Sequence, residues 1–168
     1  DLYDPDAADR LRELAPALDL IWASPSCKGF SQCSGATDEH KQMQNTLTTR
    51  CAALILELAP PVFIIENVLQ ARTNPTFQVA ISRLNRAYHT VSVTLDACRL
   101  HVPQSRRRLV VVGCRTNGDD ANTALCMQAF ISRCQERMRA TPACTIEDKI
   151  ESMRGKTLFV FPRRRENQ

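Results

Sequence analysis

Four short runs of strand-forming residues constrain the fold of this chain more than any other feature of its sequence. The runs are Leu18–Ala23, Val62–Ile65, Thr90–Ala97 and Leu109–Gly113. Segments with apolar residues at helical spacing alternate with them. Because strands that alternate with helices form a sheet covered by helices, the sequence predicts an α/β fold.

Predicted helices lie before, between and after these runs. They are Asp4–Leu14, His40–Leu58, Thr76–Ala87, Asn117–Ala140 and Thr145–Met153. In the last of them, Thr145 is expected to cap the helix, and Asp148, three residues later, is expected to form the reciprocal hydrogen bond of the cap. Ser24–Asp38 is predicted as a loop, and residues 157–168 begin with a strand-like stretch. Leu18–Ala23 is predicted as a strand that is buried on both faces. No linker divides the 168 residues, which fit one ordinary domain.

The composition excludes several classes of protein. An apolar fraction of 43% indicates a globular chain, and no apolar stretch is long enough to span a bilayer. The acidic amino terminus does not resemble a secretory signal, so we expect an intracellular protein (cytoplasm, nucleoid, or nucleus in a eukaryote) without a membrane partner. The eight cysteines form no Cys-x-x-Cys pair, so no metal site is expected. Cys51, Cys98 and Cys114 are interpreted as small buried hydrophobic residues.

Reactive side chains stand at the ends of three of the runs. Cys27 lies in the loop after the first run, and Glu66 directly follows the second. Arg106 and Arg108 come just before the fourth. Functional residues of open α/β sheets gather at strand ends, so we expect these groups to converge on one pocket. Singly each is more often an inert or solvated side chain, whereas their joint occurrence favours a functional site.

Basic residues are unevenly distributed, although the net charge is only +4. Arginine triplets occupy residues 106–108 and 163–165. Such clusters favour an anionic partner, and the alternative is that they decorate a solvated face.

Three motifs resemble those of the cytosine-C5 DNA methyltransferases. Residues 25–31, Pro-Ser-Cys-Lys-Gly-Phe-Ser, resemble the Pro-Pro-Cys-Gln-Gly-Phe-Ser loop of that family, with Ser26 and Lys28 as departures. Residues 66–68 match its Glu-Asn-Val, and residues 102–108 match its Val-Pro-Gln-x-Arg-x-Arg. The resemblance implies part of a Rossmann-like, S-adenosylmethionine-dependent methyltransferase sheet, comprising the later strands with their flanking helices.

The resemblance also implies a chemistry for these residues. Cys27 would be the nucleophile that adds to carbon 6 of cytosine, because carbon 5 is too poor a nucleophile to take a methyl group unaided. Glu66, protonated or sharing a proton with ring N3, would stabilise the charge that the addition pushes onto the base. Arg106 and Arg108 would supply donors for the O2 edge, for phosphates or for Glu66. The implied partner is double-stranded DNA with the target base rotated out of the helix.

Further binding residues follow from the same resemblance. Ser31, Asn67 and Gln104 are implied to contact the substrate, and Asp1, Pro25 and Leu47 to contact the cofactor, S-adenosylmethionine. The family's Phe-x-Gly-x-Gly donor loop has no counterpart among the five glycines. We therefore expect a partial catalytic domain at residues 1–155 and the start of a target recognition region at 156–168, with a complementing chain for the missing segments. Leu18–Ala23 would then be an uncovered edge strand.

Three alternatives remain open at this stage. Ser26, Lys28 and the missing glycine loop would also suit a noncatalytic nucleic-acid-binding or partner-regulating relative. A tRNA substrate is the second alternative, since the family includes such members. The third is a cysteine hydrolase with Cys27 as nucleophile and His101 as base, which leaves Glu66 and the arginine run unexplained.

Overall fold

The computed structural model describes residues 4–26, 38–116 and 120–152. Within these ranges the chain forms four strands and five α-helices. The strands are β1 Leu20–Ala23, β2 Val62–Asn67, β3 Tyr88–Asp96 and β4 Arg107–Arg115. The helices are α1 Ala7–Leu14, α2 Asp38–Leu58, α3 Pro75–Leu84, α4 Asp120–Ala140 and α5 Ile146–Ser152. Two short 3-10 turns, Leu69–Thr73 and Ala97–Leu100, follow β2 and β3.

The four strands form one mixed sheet in the order β1-β2-β4-β3. Strand β1 runs parallel to β2, with Ala23 opposite Ile65. Strand β4 runs antiparallel to both of its neighbours. The start of β4 therefore lies beside the ends of β2 and β3, and residues that precede β4 share one sheet edge with residues that follow β1 and β2. We call this edge the functional edge.

Two cores lie on opposite faces of the sheet. Helices α2 and α3 cover one face, where Ile55, Phe63 and Leu84 are fully or almost fully buried. Helix α4 covers the other face, where Met127 and Ile131 pack against alternate residues of β3 and β4. Because side chains of a strand point alternately to opposite faces, β4 contributes to both cores, and its central residues are all buried.

Local signals set several element ends. Pro75 opens α3, and the Asn74 side chain accepts a hydrogen bond from the Phe77 backbone N–H at 3.1 Å. Thr145 and Asp148 form the predicted reciprocal cap of α5: the Thr145 N–H donates to Asp148 at 2.8 Å, and the Asp148 N–H donates to the Thr145 hydroxyl at 3.1 Å. The Thr145 N–H and the Thr145 hydroxyl, which donates to Asp148 Oδ2 at 3.0 Å, hold the pKa of the Asp148 carboxyl below its usual value.

The α/β prediction is confirmed, and all predicted elements within the described ranges are present with shifted bounds. The prediction that the first strand is buried on both faces is wrong. Trp22 is 68% exposed and Leu20 is 45% exposed, because both point to the face that α4 covers, and the described core beneath α4 includes no residue of β1. This agrees with the separate expectation that β1 is an uncovered edge.

Smaller corrections concern two cysteines. Cys51 is buried as predicted, whereas Cys98 and Cys114 are only half-buried because both lie near the ends of their elements. The strand-like stretch within residues 157–168 lies outside the described residues, as does most of the loop after β1. None of the described helices has the length and apolar character needed to cross a membrane.

Candidate functional site

Glu66 lies at the centre of the functional edge and accepts hydrogen bonds through both carboxylate oxygens. Its Oε2 accepts from the Ser24 hydroxyl at 2.6 Å. Its Oε1 forms an ion pair with Arg108 Nε at 2.9 Å. The parallel pairing of Ala23 with Ile65 brings Ser24 beside Glu66, and the antiparallel direction of β4 brings Arg108 from the other side. Neighbouring strands thus fix the carboxylate, whose side chain is 23% exposed.

Arg106 stands two residues before Arg108 and lines the same pocket. Its backbone carbonyl accepts from the Ala97 N–H at 2.9 Å, which anchors the chain just ahead of β4. Its side chain makes no hydrogen bond or ion pair with any residue in the described ranges. Residues two apart in extended chain point the same way, so Arg106 offers a guanidinium group beside the Glu66–Arg108 pair.

Asn67 ties the end of β2 to the loop that carries Cys27. Its side chain is buried, and Nδ2 donates to the Pro25 carbonyl at 3.1 Å. Its Oδ1 accepts from the Val68 N–H at 2.8 Å. The amide therefore uses donors and acceptors inside the protein and fixes the backbone two residues before Cys27.

These side chains enclose a small polar pocket of about 240 Å³ at the functional edge. Its lining includes Ser24, Ser26, Glu66, Asn67, Arg106 and Arg108. The volume lies just under the range of about 300–1,000 Å³ that is usual for drug-sized ligands, so the pocket suits a single small polar ring. One carboxylate and two guanidinium groups give it the donors and acceptors to match such a ring.

The structure brings together five of the ten site residues predicted from sequence, namely Pro25, Glu66, Asn67, Arg106 and Arg108. Gln104 is exposed, and Leu47 is half-buried on α2; neither lines this pocket. Asp1, Cys27 and Ser31 lie outside the described residues. The predicted roles of all ten residues stay predictions.

Ser24 is the residue that the sequence interpretation missed. It directly follows β1, and a hydroxyl group there can reach a carboxylate on the neighbouring parallel strand. The signal in the sequence is that Ser24 and Glu66 each come directly after a strand-forming run, Leu18–Ala23 and Val62–Ile65.

A second, apolar pocket of about 410 Å³ adjoins Pro25 between α1, β1 and α2. Its walls are mainly aliphatic, from residues such as Leu18, Ile21 and Leu54, and Ser24 is the one hydroxyl side chain in its described lining. Such walls fit the apolar part of a methyl donor like S-adenosylmethionine. They offer no carboxylate or amide side chain for its ribose and amino-acid groups, so the described residues fit the donor only in part.

A sequence model described as C-5 cytosine-specific DNA methylase matches residues 3–158. The chain belongs to this family. The matched region contains Cys27, and it also contains Glu66, Arg106 and Arg108, which line the polar pocket. The resemblance inferred from three motifs is thereby confirmed.

Curated proteins with similar sequences include two Type II methyltransferases. Type II methyltransferase M.HgiDI of Herpetosiphon aurantiacus is 36% identical over 134 residues, which cover 79% of this chain and 42% of that protein. Type II methyltransferase M.AgeI of Thalassovita gelatinovora is 33% identical over 100 residues, which cover 57% of this chain and 23% of that protein. The chain spans less than half the length of these relatives. They carry the matched segment within one longer sequence, and the expected complementing chain finds no support in them.

Solved structures agree on the fold of this C-5 cytosine methylase family member. An Escherichia coli prophage protein described as a DNA modification methyltransferase superposes with a TM-score of 0.55 at 22% identity, over 68% of this chain and 32% of that one. The Dnmt2 methyltransferase of S. pombe gives a TM-score of 0.53 at 18% identity, over 71% of this chain and 37% of that one. The predicted Rossmann-like methyltransferase sheet is confirmed.

Proposed function

We propose that this chain is the base-activating part of a DNA (cytosine-5-)-methyltransferase. In this proposal a methyl group passes from S-adenosylmethionine to carbon 5 of a cytosine that is rotated out of duplex DNA. The observation that carries the proposal is the placement of Glu66 between Ser24 and Arg108, in a small polar pocket that is also lined by Ser26, the residue before Cys27 in the sequence.

The first step is addition of the Cys27 thiolate to carbon 6 of the ring. A carbon–sulfur bond forms, the carbon 5–carbon 6 double bond opens, and its electron pair moves through carbon 5 toward N3 and O2. The sulfur adds as the thiolate, so Cys27 must first give up its proton. Asn67 contributes by holding the Pro25 carbonyl, which limits the positions that the thiol two residues later can occupy.

Glu66 stabilises the charge that reaches the base. Each carboxylate oxygen offers two lone-pair sites, so Glu66 can accept from its protein donors and still share with N3 a proton that the site takes up from solvent as the charge reaches the ring. Ser24 and Arg108 fix the direction of the carboxylate before the base arrives, which avoids reorganisation during the reaction. Arg106, whose guanidinium group is not engaged by described residues, is placed to donate to the O2 edge of the base.

Completion of the reaction returns the site to its starting state. S-adenosylmethionine, when bound, supplies the electrophilic methyl group for carbon 5. Loss of the carbon 5 proton to a base and departure of the Cys27 thiolate then restore the aromatic ring. Because the sulfur both adds and leaves as the thiolate, the chain needs no other group to regenerate the nucleophile.

The alternatives have less support. A cysteine hydrolase with His101 as base leaves the ion pair of Glu66 with Arg108 unexplained, and the family match is to a DNA methylase and not to a hydrolase. A tRNA substrate is disfavoured by the description of the family as a DNA methylase. A noncatalytic relative would have no use for a carboxylate held between two donors in a base-sized pocket.

Trapping with a mechanism-based substrate tests the proposal. The 168-residue chain is incubated with S-adenosylmethionine and a duplex that contains 5-fluorocytosine, in which fluorine blocks the loss of the carbon 5 substituent. We expect a covalent protein–DNA adduct that survives denaturing electrophoresis. Cys27→Ala should abolish the adduct, and Glu66→Gln should slow its formation about 10²-fold or more, since it removes the proton-sharing group.

The matched control is Cys126→Ala, which removes an exposed thiol on α4, away from the pocket. It should form the adduct at the wild-type rate. An adduct that persists in Cys27→Ala, or no adduct with the unaltered chain, would show the proposal to be wrong.

A further inference from the structure

A second charged groove, of about 500 Å³, lies along the outer side of β3. Three arginines from three different elements line it. Arg72 comes from the turn after β2, Arg99 from the turn after β3, and Arg139 from the last turn of α4. Ser92 and Thr94 of β3 add two hydroxyl groups to the same surface. We call this surface the arginine groove.

The positive charge of the arginine groove is not neutralised by the described residues. Asp96 is the one carboxylate in its described lining, and its Oδ1 already accepts from the backbone N–H and the thiol of Cys98 at 3.4 Å and 3.2 Å. Three guanidinium groups around one carboxylate leave a net positive potential. Such a concave positive surface attracts an anion.

The guanidinium groups are only partly engaged by neutral acceptors. Arg72 donates to the Thr94 hydroxyl at 3.3 Å, and Arg99 donates to the Thr141 carbonyl at 2.9 Å. Neither of them, nor Arg139, forms an ion pair with a carboxylate in the described part of the chain. Each guanidinium group has five N–H donors, so most donors of the arginine groove are still available to a ligand.

The arginine groove opens near the functional edge. Strand register places Asn67, Leu109 and Thr94 in one row across β2, β4 and β3. Neighbouring strands are about 4.8 Å apart, so Thr94 lies about 10 Å from the pocket wall at Asn67. A duplex with one base in the pocket would therefore have the backbone that flanks this base within reach of the arginine groove.

We propose that the arginine groove binds the phosphodiester backbone of duplex DNA close to the target base. Arginine side chains with serine and threonine hydroxyls are the common donors to phosphate oxygens, and their contacts position DNA without reading its sequence. The nature of the nucleic acid rests on the proposed function. The groove would hold the duplex in register while the pocket takes the flipped base.

The test uses a duplex made only of A·T pairs, to which Cys27 has no cytosine to add. Binding of the full chain is measured at several salt concentrations. Each phosphate contact contributes about 0.9 to the slope of log K against log salt concentration. The triple variant Arg72→Gln, Arg99→Gln, Arg139→Gln should therefore lose about two to three from that slope and bind more weakly. The corresponding triple lysine variant, which keeps the charge, should retain most of the slope.

A matched triple variant removes the same charge from the opposite end of the sheet, where β3 begins and β4 ends. It carries Arg83→Gln, Arg86→Gln and Arg115→Gln, and it should keep the wild-type slope. Equal losses in the two triple variants, or no binding by the unaltered chain, would overturn the proposal. An equal loss of binding to polyglutamate would instead make the groove a site for acidic proteins and would also overturn it. Adduct formation at Cys27 is a separate readout, so the proposed function can fail while the groove proposal stands.

Discussion

At the scale of single residues, the two adjacent residues at the end of β2, Glu66 and Asn67, make different contacts. Both residues line the polar pocket, but Glu66 is half-buried whereas Asn67 is almost fully buried. Their side chains leave the strand on opposite sides, as the two-residue period of a strand requires. Glu66 is held by Ser24 and Arg108, while Asn67 holds the backbone at Pro25.

The Asn67 contact can be tested by an isosteric change. Asn67→Asp replaces the amide nitrogen that donates to the Pro25 carbonyl with an oxygen, so two acceptors face each other in a buried site. We expect the free energy of unfolding to fall by about 1–3 kcal/mol or more, as measured in urea. Gln70→Glu makes the same chemical change at an exposed position in the next turn and should alter stability by less than about 0.5 kcal/mol. Equal stability of Asn67→Asp and the unaltered chain would contradict a structural role for this amide.

Sequence reasoning located Glu66, Arg106 and Arg108 because each stands at the end of an apolar run. It could not assign their partners, since Ser24 and Pro25 contact Glu66 and Asn67 across 42 residues of chain. The arginine groove was missed for the same reason. Its members are far apart in sequence, and only the packing of two turns and one helix around β3 brings them together.

At the scale of elements, β4 depends on its one glycine. Gly113 pairs with Phe63 on β2 and with Thr90 on β3. A Cβ atom at residue 113 would lie 2.1 Å from Phe63 Cε1. The ring of Phe63 is fully buried and packs edge-on against Tyr88 at 5.0 Å, so it has no open space into which it can move.

Gly113→Ala should therefore destabilise the sheet through overpacking. The expected loss is about 1–3 kcal/mol, and more if the ring cannot shift at all, measured as the free energy of unfolding in urea. The combination with Phe63→Leu should cost less than the sum of the two single changes, because the smaller side chain makes room for the new methyl group. Strict additivity would show that the contact with Phe63 is not the cause.

Helix α2 offers a pH-dependent prediction. Burial raises the pKa of the Cys51 thiol to about 11 from a usual value of 9.0. Below about pH 9 the thiol is protonated in both the folded and the unfolded chain, so it does not make the free energy of unfolding depend on pH. As the pH rises from about 9 to about 11, the unfolded chain loses the proton first, and stability falls.

The measurement is unfolding in urea at about pH 8 and again within that upper window. Cys51→Ala should show a smaller loss of stability between the two pH values than the unaltered chain, because it has no thiol to ionise. Cys126→Ala, which removes an exposed thiol, should behave like the unaltered chain. The same loss in all three proteins would mean that Cys51 does not titrate on unfolding.

Element positions were predictable where the pattern is local. The α5 cap and the existence of every described helix and strand follow from residues within a few positions of each other. The direction of β4 was not predictable, because a central apolar strand reads alike in parallel and antiparallel sheets. The burial of β1 was predicted wrongly, because an apolar run does not reveal whether helices will cover both faces of the strand.

At the scale of the whole molecule, one edge of the sheet collects the features that bear on function. The polar pocket, the apolar pocket beside Pro25 and the arginine groove all adjoin the ends of β1, β2 and β3. A duplex laid along this edge would meet the groove with its backbone and the pocket with one base. Under the proposed function, we expect base activation, as distinct from methyl transfer, to depend on residues within this chain.

Exchange of the hydrogen on carbon 5 of cytosine measures base activation directly. Addition of Cys27 to carbon 6 makes carbon 5 basic, so it takes up a solvent proton and then releases its original hydrogen when the thiolate leaves. Duplex DNA labelled with tritium at carbon 5 is incubated with the chain without any methyl donor. We predict release of tritium into water by the unaltered chain, much slower release by Glu66→Gln, and none by Cys27→Ala. Release that is unchanged in Cys27→Ala, or absent from the unaltered chain, would contradict the assignment of Cys27 and Glu66 as the groups that activate the base.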